Sequence, residues 1–370
     1  MPDFIPGLEL SRLFFMEQVQ PVLNAEFPGL RYDAAIIGSG SEVLGFDTPL
    51  SRDHHWGPRV TLFVADDDLE TYAEPVREVF RHRLPYEFRG YPTSFEEIPG
   101  QPGILRFEPK TSGPVNHRVN VTTLRRFLRG YLDFDWQRAA VIEVADWLTF
   151  PQQKLRTLVA GAVYHTGLGD VTLMRQQFAW YPHDIWLYLL AAGWMRISQE
   201  EAFVGRTGEV GDDIGSRLIA GRLVRDLMQL CFLMERQYAP YSKWFGTAFG
   251  RLGCAPQLTP IFDGALAATD WRTRQTHLSA AYRLVAEMHN GLGITEPLPT
   301  EVSYFYERPY LVIRGHEFAE AITAQIRDEA VRRMASVRLI GSIDQFSDST
   351  DLREAAPLRQ RLKTLYESGH

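Results

Sequence analysis

The amino-acid sequence predicts an α+β protein in which a sheet-containing domain precedes an α-helical bundle. Up to about residue 150, short apolar runs alternate with Gly, Pro and Asp, which is typical of mixed strands and helices. From about residue 151, apolar residues recur at helical spacing over long segments. The chain has 370 residues, 45% hydrophobic and 23% charged, enough for two domains. We place them at 1–150 and 151–300, and expect the strand and helix of residues 301–370 to pack on them.

The first half is predicted to begin with a helix, a buried strand and a glycine-rich turn. The acidic run of residues 66–68 suits the start of the next helix, because carboxylates are favoured beside the unpaired amides of a helix N-terminus. A strand after it is predicted to lead into another helix. The predicted helices are 8–27, 69–83 and 123–131, and the predicted strands are 32–37, 59–64, 103–107 and 117–121.

The second half shows amphipathic helices separated by Gly and Pro. Two apolar stripes are predicted to lie in the core. They comprise Ile185, Leu189, Ala192 and Ile197, and Leu218, Leu223, Leu227, Leu230 and Met234. The polar stretch 344–351 is predicted to be a loop. The predicted helices are 151–164, 170–180, 183–203, 212–237, 239–252, 258–269, 271–291 and 318–326, with a strand at 310–313.

Composition excludes several classes of protein. With 39 basic and 46 acidic residues, the formal charge is −7, which disfavours nucleic acid and anionic membranes as partners. The two cysteines, Cys231 and Cys254, provide neither a disulfide framework nor a cysteine zinc site. The N-terminus lacks the order of a signal peptide, and no window reaches the ~20 apolar residues that span a bilayer. We therefore expect a cytoplasmic protein that does not enter a membrane; the sequence leaves its oligomeric state open.

The most informative segment is residues 38–55, which contain Gly38-Ser39-Gly40-Ser41 after the first strand and Asp53-His54-His55 further on. A Gly-Ser turn allows main-chain amides and a hydroxyl to approach a phosphate closely. Asp53 and His55 lie two residues apart, so on an extended strand they would share a face and hold a cation. Gly40 and Ser41 are the preferred phosphate-binding pair, with the preceding Gly-Ser pair as the alternative.

This pattern resembles the nucleotidyltransferase superfamily, whose signature is a Gly-Ser or Gly-Gly at a strand end followed by an Asp-x-Asp or Asp-x-Glu pair. Segments 51–59, 201–206 and 241–246 also resemble an uncharacterised family of domains of unknown function with nucleotidyltransferase-like N-terminal halves. The resemblance implies a mixed sheet next to a helical bundle, with the site in a cleft between them. It further implies that carboxylates hold Mg²⁺ or Mn²⁺ while a nucleoside triphosphate is attacked in line at its α-phosphorus.

The sequence departs from this signature at two acidic positions. His55 stands at the second, and Asn120 stands where the third acid is expected. Mg²⁺ prefers oxygen ligands, so its affinity should be low unless Asp47 or an acid of residues 66–68 contributes. A borderline metal such as Mn²⁺, Zn²⁺ or Ni²⁺ tolerates imidazole better. Arg52 and Arg59 are candidates either for ion pairs or for contacts with phosphate.

Two residues of the helical half are further candidates, Glu201 through a resemblance to nucleotidyltransferases that modify antibiotics and Lys243 because it follows a proline-started helical turn next to the predicted cleft. Glu201 is the candidate general base that takes the proton from the acceptor hydroxyl, although ion pairing between helices is the alternative. Lys243, in an aromatic segment, is the candidate for binding the triphosphate and offsetting charge on the leaving pyrophosphate. Its alternative role is a buried stem with an ammonium at the surface.

The function predicted from sequence is transfer of a nucleoside monophosphate from ATP or another nucleoside triphosphate to a hydroxyl of a small molecule, with Asp53 and Glu201 as catalytic residues. Gly40, Ser41 and Lys243 are predicted to bind the nucleotide, and Asp53 and His55 the metal. The alternative is a catalytically reduced sensor or partner protein that binds a nucleotide or a metal. A toxin-like partner of a second protein is a weaker possibility based on fold analogy alone.

Overall fold

The computed structural model describes residues 3–138 and 141–366. The chain forms two compact units. The first unit contains the chain up to Val141 together with Lys154–Ala179, and the second contains Ile142–Gln153 together with the chain from Trp180 onward. Sequence places a single boundary near residue 150, whereas the chain passes between the units three times. Residues 301–366 belong to the second unit.

A four-stranded mixed sheet is the centre of the first unit, as the fold class predicts. Its strands, in chain order, are β1 (Tyr32–Ile36), β2 (Val60–Val64), β7 (Val119–Thr122) and β8 (Ala162–Thr166). The spatial order is β7-β2-β1-β8, with β2 and β7 parallel and the other pairs antiparallel. All five residues of β1 are buried, including Asp33. The prediction of a helix over 151–164 was wrong at its end, because β8 begins at Ala162.

Two hairpins extend the first unit beyond the sheet. They are made of β3 (Glu87–Phe88) with β4 (Tyr91–Pro92), and of β5 (Phe95–Ile98) with β6 (Gln101–Phe107).

Helices cover the sheet of the first unit. Leu10, Phe14 and Phe15 from the N-terminal helices join Val76 and Phe80 in one buried cluster with the strands. The predicted first helix is present, but a π-helical segment, Phe15–Val19, interrupts it. The helices are α1 (Gly7–Phe14), α2 (Gln20–Glu26), α3 (Leu69–Arg83), α4 (Leu124–Leu132) and α7 (Asp170–Gln177). Short 3-10 helices lie at Glu42–Leu44, Pro49–Asp53 and Asp66–Asp68.

A buried carboxylate fixes one of these helices. Asp33 on β1 is fully buried, and its carboxylate accepts hydrogen bonds from the backbone amides of Leu168, Gly169 and Val171 at distances of 2.8 to 3.0 Å. These amides lie at the start of α7, where helical N–H groups lack partners within the helix. Asp33 therefore attaches α7 to the central strand.

The second unit is mainly helical, as predicted. Its helices are α5 (Val144–Thr149), α8 (His183–Glu200), α9 (Phe203–Glu209), α10 (Asp213–Met234), α11 (Ser242–Phe249), α12 (Ala255–Ala267), α13 (Trp271–Gly291), α14 (Gly315–Thr323), α15 (Glu329–Val337), α16 (Ile343–Phe346), α17 (Thr350–Glu354) and α18 (Arg359–Lys363). Helix α6 (Gln152–Val159) begins in the second unit and continues into the first. A hairpin of β9 (Ser303–Phe305) and β10 (Arg308–Val312) and a 3-10 helix, Ala356–Leu358, complete the unit.

Both predicted apolar stripes are buried except at one residue. Leu218 is 66% exposed, whereas Ser216 and Ala220 on either side of it in α10 are buried, so Leu218 lies on the outer face of the helix. The predicted loop at 344–351 was also wrong, since α16 and α17 lie there. Residue Ser342 starts α16 with a capping box, a local signal that does not depend on apolar periodicity. No helix among residues 3–138 and 141–366 is long and apolar enough to cross a membrane.

Candidate functional site

The turn after β1 requires glycine at two positions. Gly38 and Gly40 have φ values of 85° and 141°, which side-chain-bearing residues rarely adopt. A Cβ atom at Gly40 would also lie 2.6 to 2.7 Å from the carboxylate oxygens of Glu42 and from Nη2 of Arg59. The glycine predicted to admit a phosphate therefore borders a side-chain ion pair.

That ion pair joins the turn to the start of β2. Glu42 is only 3% exposed, and its Oε1 lies 2.6 Å from Nη2 and 2.8 Å from Nε of Arg59. Arg59 Nη2 also donates a hydrogen bond of 2.8 Å to the carbonyl oxygen of Ser39. Of the two alternatives for Arg59, the ion pair is present, and its partner is Glu42.

A second arginine lies at the same corner. Arg118 precedes β7, donates a hydrogen bond to the carbonyl oxygen of His55, and has its guanidinium carbon 5.5 Å from the centre of the Phe95 ring. Burial, with repulsion from Arg59, lowers the pKa of Arg118 to about 10, so it remains charged at neutral pH. Among the side chains that the structure describes, which exclude that of Asp53, no carboxylate forms a salt bridge with Arg118.

His55 lies between these groups. Its backbone has a φ of 54°, and its amide donates a hydrogen bond of 2.8 Å to the carbonyl oxygen of Leu105. Burial lowers the pKa of the His55 imidazole, and the charge of Arg118 lowers it further. A neutral imidazole is the form that binds a metal or accepts a proton. We define the arginine corner as Gly38, Ser39, Gly40, Ser41, Glu42, His55, Arg59 and Arg118.

The predicted strand face for Asp53 and His55 was wrong. Asp53 is the last residue of the 3-10 helix Pro49–Asp53, and β2 begins only at Val60. A capping box between Thr48 and Ser51 and a proline in the first turn favour this helix over an extended strand. The side chain of Asp53 lies outside what the structure describes, so its role as catalytic residue and metal ligand stays a prediction.

Asp47, the acid considered as an extra metal ligand, has a different role. Its Oδ2 accepts hydrogen bonds from the backbone amide of Gly7 at 2.7 Å and from Nε1 of Trp56 at 3.0 Å. It thereby connects the first turn of α1 to the segment before β2. The acids of residues 66–68 form the 3-10 helix at the start of α3, as the acidic run predicted.

Asn120 lies on β7 opposite Thr61 of β2 and is exposed. It occupies the strand that was predicted, at the edge of the sheet. No group of three or more His, Cys, Asp or Glu side chains among the described residues is arranged to hold a metal ion. The side chain of Asp53 is not part of that set.

Glu201 is buried within the second unit and is 6% exposed. Its carboxylate accepts hydrogen bonds from the backbone amides of Ile313 at 2.7 Å, Arg314 at 3.1 Å and Gly315 at 3.3 Å, at the start of α14. Burial raises its pKa to about 7 despite these hydrogen bonds. Because both oxygens are engaged by the backbone, the geometry favours a structural role over that of a general base.

Lys243 lies in α11 and is exposed, with Nζ 5.1 Å from the centre of the Trp244 ring. Lysine stems commonly cover aromatic surface in this way. Its predicted contact with a triphosphate, like the predicted cleft, stays a prediction.

Sequence reasoning missed two members of the arginine corner. Glu42 directly follows the predicted Gly-Ser pair. Arg118 lies within the predicted strand 117–121, on which Asn120 was the candidate site residue. A buried acid next to a glycine-rich turn and an arginine at a strand start were the available signals. Neither a glutamate nor an arginine at such a position indicates a binding site until the residues that it contacts are known.

Comparison with known proteins gives two findings. Residues 147–245 match a family described as a domain of unknown function, DUF4037, which confirms the expected resemblance to such a family over that segment. A nucleotidyltransferase-like protein from Exiguobacterium sibiricum 255-15 is similar in structure, with 10% sequence identity over 86% of this chain and 89% of that chain and a TM-score of 0.33. At this TM-score the likeness is loose. No curated protein matches the sequence significantly.

Proposed function

We propose that the arginine corner binds the phosphate groups of a nucleoside triphosphate, and that the protein transfers the nucleoside monophosphate to a hydroxyl of a small molecule. The observation that carries the binding step is Arg118. It is a charged, largely desolvated guanidinium that forms no salt bridge with a described carboxylate side chain, and the charge of Glu42 acts on it only at longer range.

The charge balance of the corner favours an anionic ligand. Two guanidinium groups, of Arg59 and Arg118, are close enough to repel each other, and Glu42 is the carboxylate that interacts with both. Removing a charge from water is costly unless a partner compensates it. A phosphate oxygen beside Arg118 would supply that compensation with charge-assisted hydrogen bonds.

The glycine-rich turn supports the same ligand. Ser39 is exposed and Gly40 and Ser41 are partly exposed, so the main chain of this turn is accessible next to the two arginines. Amides of a turn with residues at positive φ form concave sites for anions. Both the turn and the arginines therefore suit the polyphosphate of a nucleotide.

The transfer step rests on the resemblance to nucleotidyltransferases. The acceptor hydroxyl oxygen would attack the α-phosphorus and lose its proton to water, the bond from that phosphorus to the bridging oxygen would break, and pyrophosphate would leave. Arginines placed at the phosphates would offset negative charge that accumulates in this step. A bound Mg²⁺ or Mn²⁺ would supply further charge neutralisation, but the described side chains do not form a metal site, so no step is assigned to the ion.

Binding without turnover is the second candidate function. It is favoured by the absence of a carboxylate cluster from the described side chains and by the exposed amide, rather than an acid, on β7. In that case the protein would be a nucleotide sensor or partner protein, and the arginine corner would keep its role.

The two functions are separated by measuring binding and turnover on the same protein. Isothermal titration with ATP, GTP, CTP and UTP, each with Mg²⁺ or Mn²⁺, should show binding of at least one nucleotide. Pyrophosphate release would then be measured with a panel of small alcohols and sugars. An enzyme is expected to lose at least about 100-fold of this activity in Asp53→Asn, whereas Glu74→Gln, which changes an exposed acid on α3 of the same unit, should leave it unchanged.

Binding with no pyrophosphate release under any condition would support the sensor. Equal turnover by the wild type and Asp53→Asn would contradict the catalytic assignment of Asp53. Failure of every nucleotide to bind would overturn both functions.

A further inference from the structure

The two cysteines of the chain, separated by 23 positions in sequence, meet in the second unit. Cys231 lies in α10, one turn before its end at Met234, and Cys254 directly precedes α12. Glu235 is hydrogen-bonded to the backbone of both residues, and a hydrogen bond with Cys254 raises the pKa of the Cys231 thiol. Both are free thiols. Because α11 and its flanking turns separate them along the chain, this contact is a product of the tertiary fold.

The two thiols differ in their access to solvent. Cys231 is 0% exposed, whereas Cys254 is partly exposed and lines a cavity of about 370 Å³ in the same unit. The cavity is also lined by Glu235, Gln257 and Met288. A small oxidant can therefore reach Cys254 from this cavity, whereas Cys231 is neither exposed nor part of the cavity lining.

The backbone holds the two cysteines in position. The carboxylate of Glu235 accepts hydrogen bonds from the amides of Gly253 at 2.7 Å and Cys254 at 2.8 Å. The amide of Glu235 in turn donates a hydrogen bond of 2.9 Å to the carbonyl oxygen of Cys231. Glu235 thus links the backbone of Cys231 to that of Cys254, which limits the distance between the two cysteines.

We propose that Cys231 and Cys254 form a reversible disulfide when the protein meets a hydroperoxide. The thiolate of Cys254 attacks one peroxide oxygen, the O–O bond breaks, and a sulfenic acid and hydroxide form. The sulfur of Cys231 then attacks the sulfenic sulfur, the S–S bond forms and water leaves. In total, two thiols lose two electrons and two protons, and one hydrogen peroxide becomes two water molecules.

The order of the two steps follows from the environment of each thiol. The hydrogen bond with Cys254, together with burial, raises the pKa of the Cys231 thiol, which disfavours its thiolate. The thiolate is the nucleophilic form. Cys254 is therefore the residue that reacts with peroxide, and Cys231 is the residue that resolves the sulfenic acid.

The test uses the full chain treated with hydrogen peroxide and then unfolded for thiol titration and intact-mass measurement. The wild type should lose both thiols and about 2 Da without forming a dimer, and dithiothreitol should restore both thiols. Cys231→Ala should instead give a sulfenic acid on Cys254 that dimedone traps. The Cys254→Ala variant should keep the thiol of Cys231 in its reduced form, because Cys231 is buried.

The disulfide should raise the melting temperature of the wild type by roughly 5 °C.

Circular dichroism would show whether each variant is folded before oxidation. The thiol titration of the wild type tests the proposal even if a variant does not fold. Retention of both thiols in the wild type would overturn the proposal. Oxidation of Cys254 alone, or a disulfide between two chains, would equally contradict it.

Discussion

Arg118 in the first unit and Glu201 in the second are both ionisable groups whose pKa is shifted mainly by burial, yet their surroundings differ. Three backbone amides donate hydrogen bonds to the carboxylate of Glu201. Arg118 donates to one carbonyl oxygen and faces a second arginine. The hydrogen-bonding requirements of Glu201 are met within its own unit, whereas the charge of Arg118 is not neutralised by a described side chain.

This difference shows how to separate structural from functional charges. A shifted pKa marks both kinds of residue, because burial and neighbouring charges act on both. The partners of the group are more informative. A buried acid that completes a helix start stabilises the fold, and a charge left without a counter-charge at an accessible turn is suited to a ligand.

The largest effect is expected for Glu201→Ala. Three amides at the start of α14 would lose their acceptor, and a buried unsatisfied polar group costs about 1–3 kcal/mol. The free energy of unfolding, measured in urea, should fall by about 3–5 kcal/mol. Glu329→Ala, at a residue whose side chain is 82% exposed in α15, is the control and should change it by less than about 0.5 kcal/mol. A loss below about 1 kcal/mol would contradict the structural role.

The pH dependence of stability should reveal the same carboxyl. The pKa of Glu201 is about 7 in the folded protein, against an ordinary value of 4.5, so the folded state binds the proton more strongly than the unfolded state. Stability should therefore fall as the pH rises from about 4.5 to about 7, by up to about 3 kcal/mol.

Burial also raises the pKa values of Glu200 and Asp226 in this unit. These two residues therefore also make the free energy of unfolding fall as the pH rises. Glu201→Gln, which cannot titrate, isolates the contribution of one residue. Urea unfolding at several pH values should show that the free energy of unfolding depends less steeply on pH in this variant than in the wild type. Parallel curves for the variant and the wild type would show that Glu201 does not titrate in that window.

Arg118→Gln should separate binding from folding. Loss of a charge-assisted contact costs about 1.5–3 kcal/mol, so the dissociation constant for inorganic tripolyphosphate should rise about 10- to 100-fold in calorimetry. The unfolding free energy of the unliganded protein should change by less than about 1 kcal/mol, because removing an uncompensated charge offsets the lost hydrogen bond. Arg77→Gln, in the exposed part of α3, is the matched control and should bind as the wild type does.

A large loss of stability with unchanged tripolyphosphate affinity would place Arg118 with Glu201 as a structural residue. That result would remove the main support for the proposed binding site.

The smallest effect is expected for Asp47→Asn. The amide oxygen of asparagine can still accept hydrogen bonds from Gly7 and Trp56, so the unfolding free energy should fall by less than about 1 kcal/mol. Tripolyphosphate should bind with unchanged affinity, with or without Mg²⁺. A loss of affinity only in the presence of Mg²⁺ would instead identify Asp47 as a metal ligand.

Much of the fold could be predicted from the sequence. The bounds of α3 and α13 agree with the predicted helices, and β1 and β2 lie where short apolar runs predicted them. The strand β8 was missed because its residues follow a helix without a strong break, and its pairing with β1 depends on distant residues. The segment before β2 was misassigned because a local capping box outweighs the extended spacing of Asp53 and His55.

The candidate site was only partly predictable. The motif located the glycine-rich turn and His55, and it suggested Arg59. It did not reveal Glu42 or Arg118, because a charge becomes informative only when its partners are known.

The sequence alone determined most of the helices, the strands β1 and β2, the position of the glycine-rich turn and the division between sheet-rich and helical halves. Apolar periodicity, glycine and proline act over a few residues, so these features are encoded locally. The tertiary structure decided which charges are neutralised, namely Glu42 by Arg59 and Glu201 by backbone amides, and it brought Cys231 to Cys254. Such pairings join residues far apart in the chain, and only the packed fold sets their distances and their exposure to water.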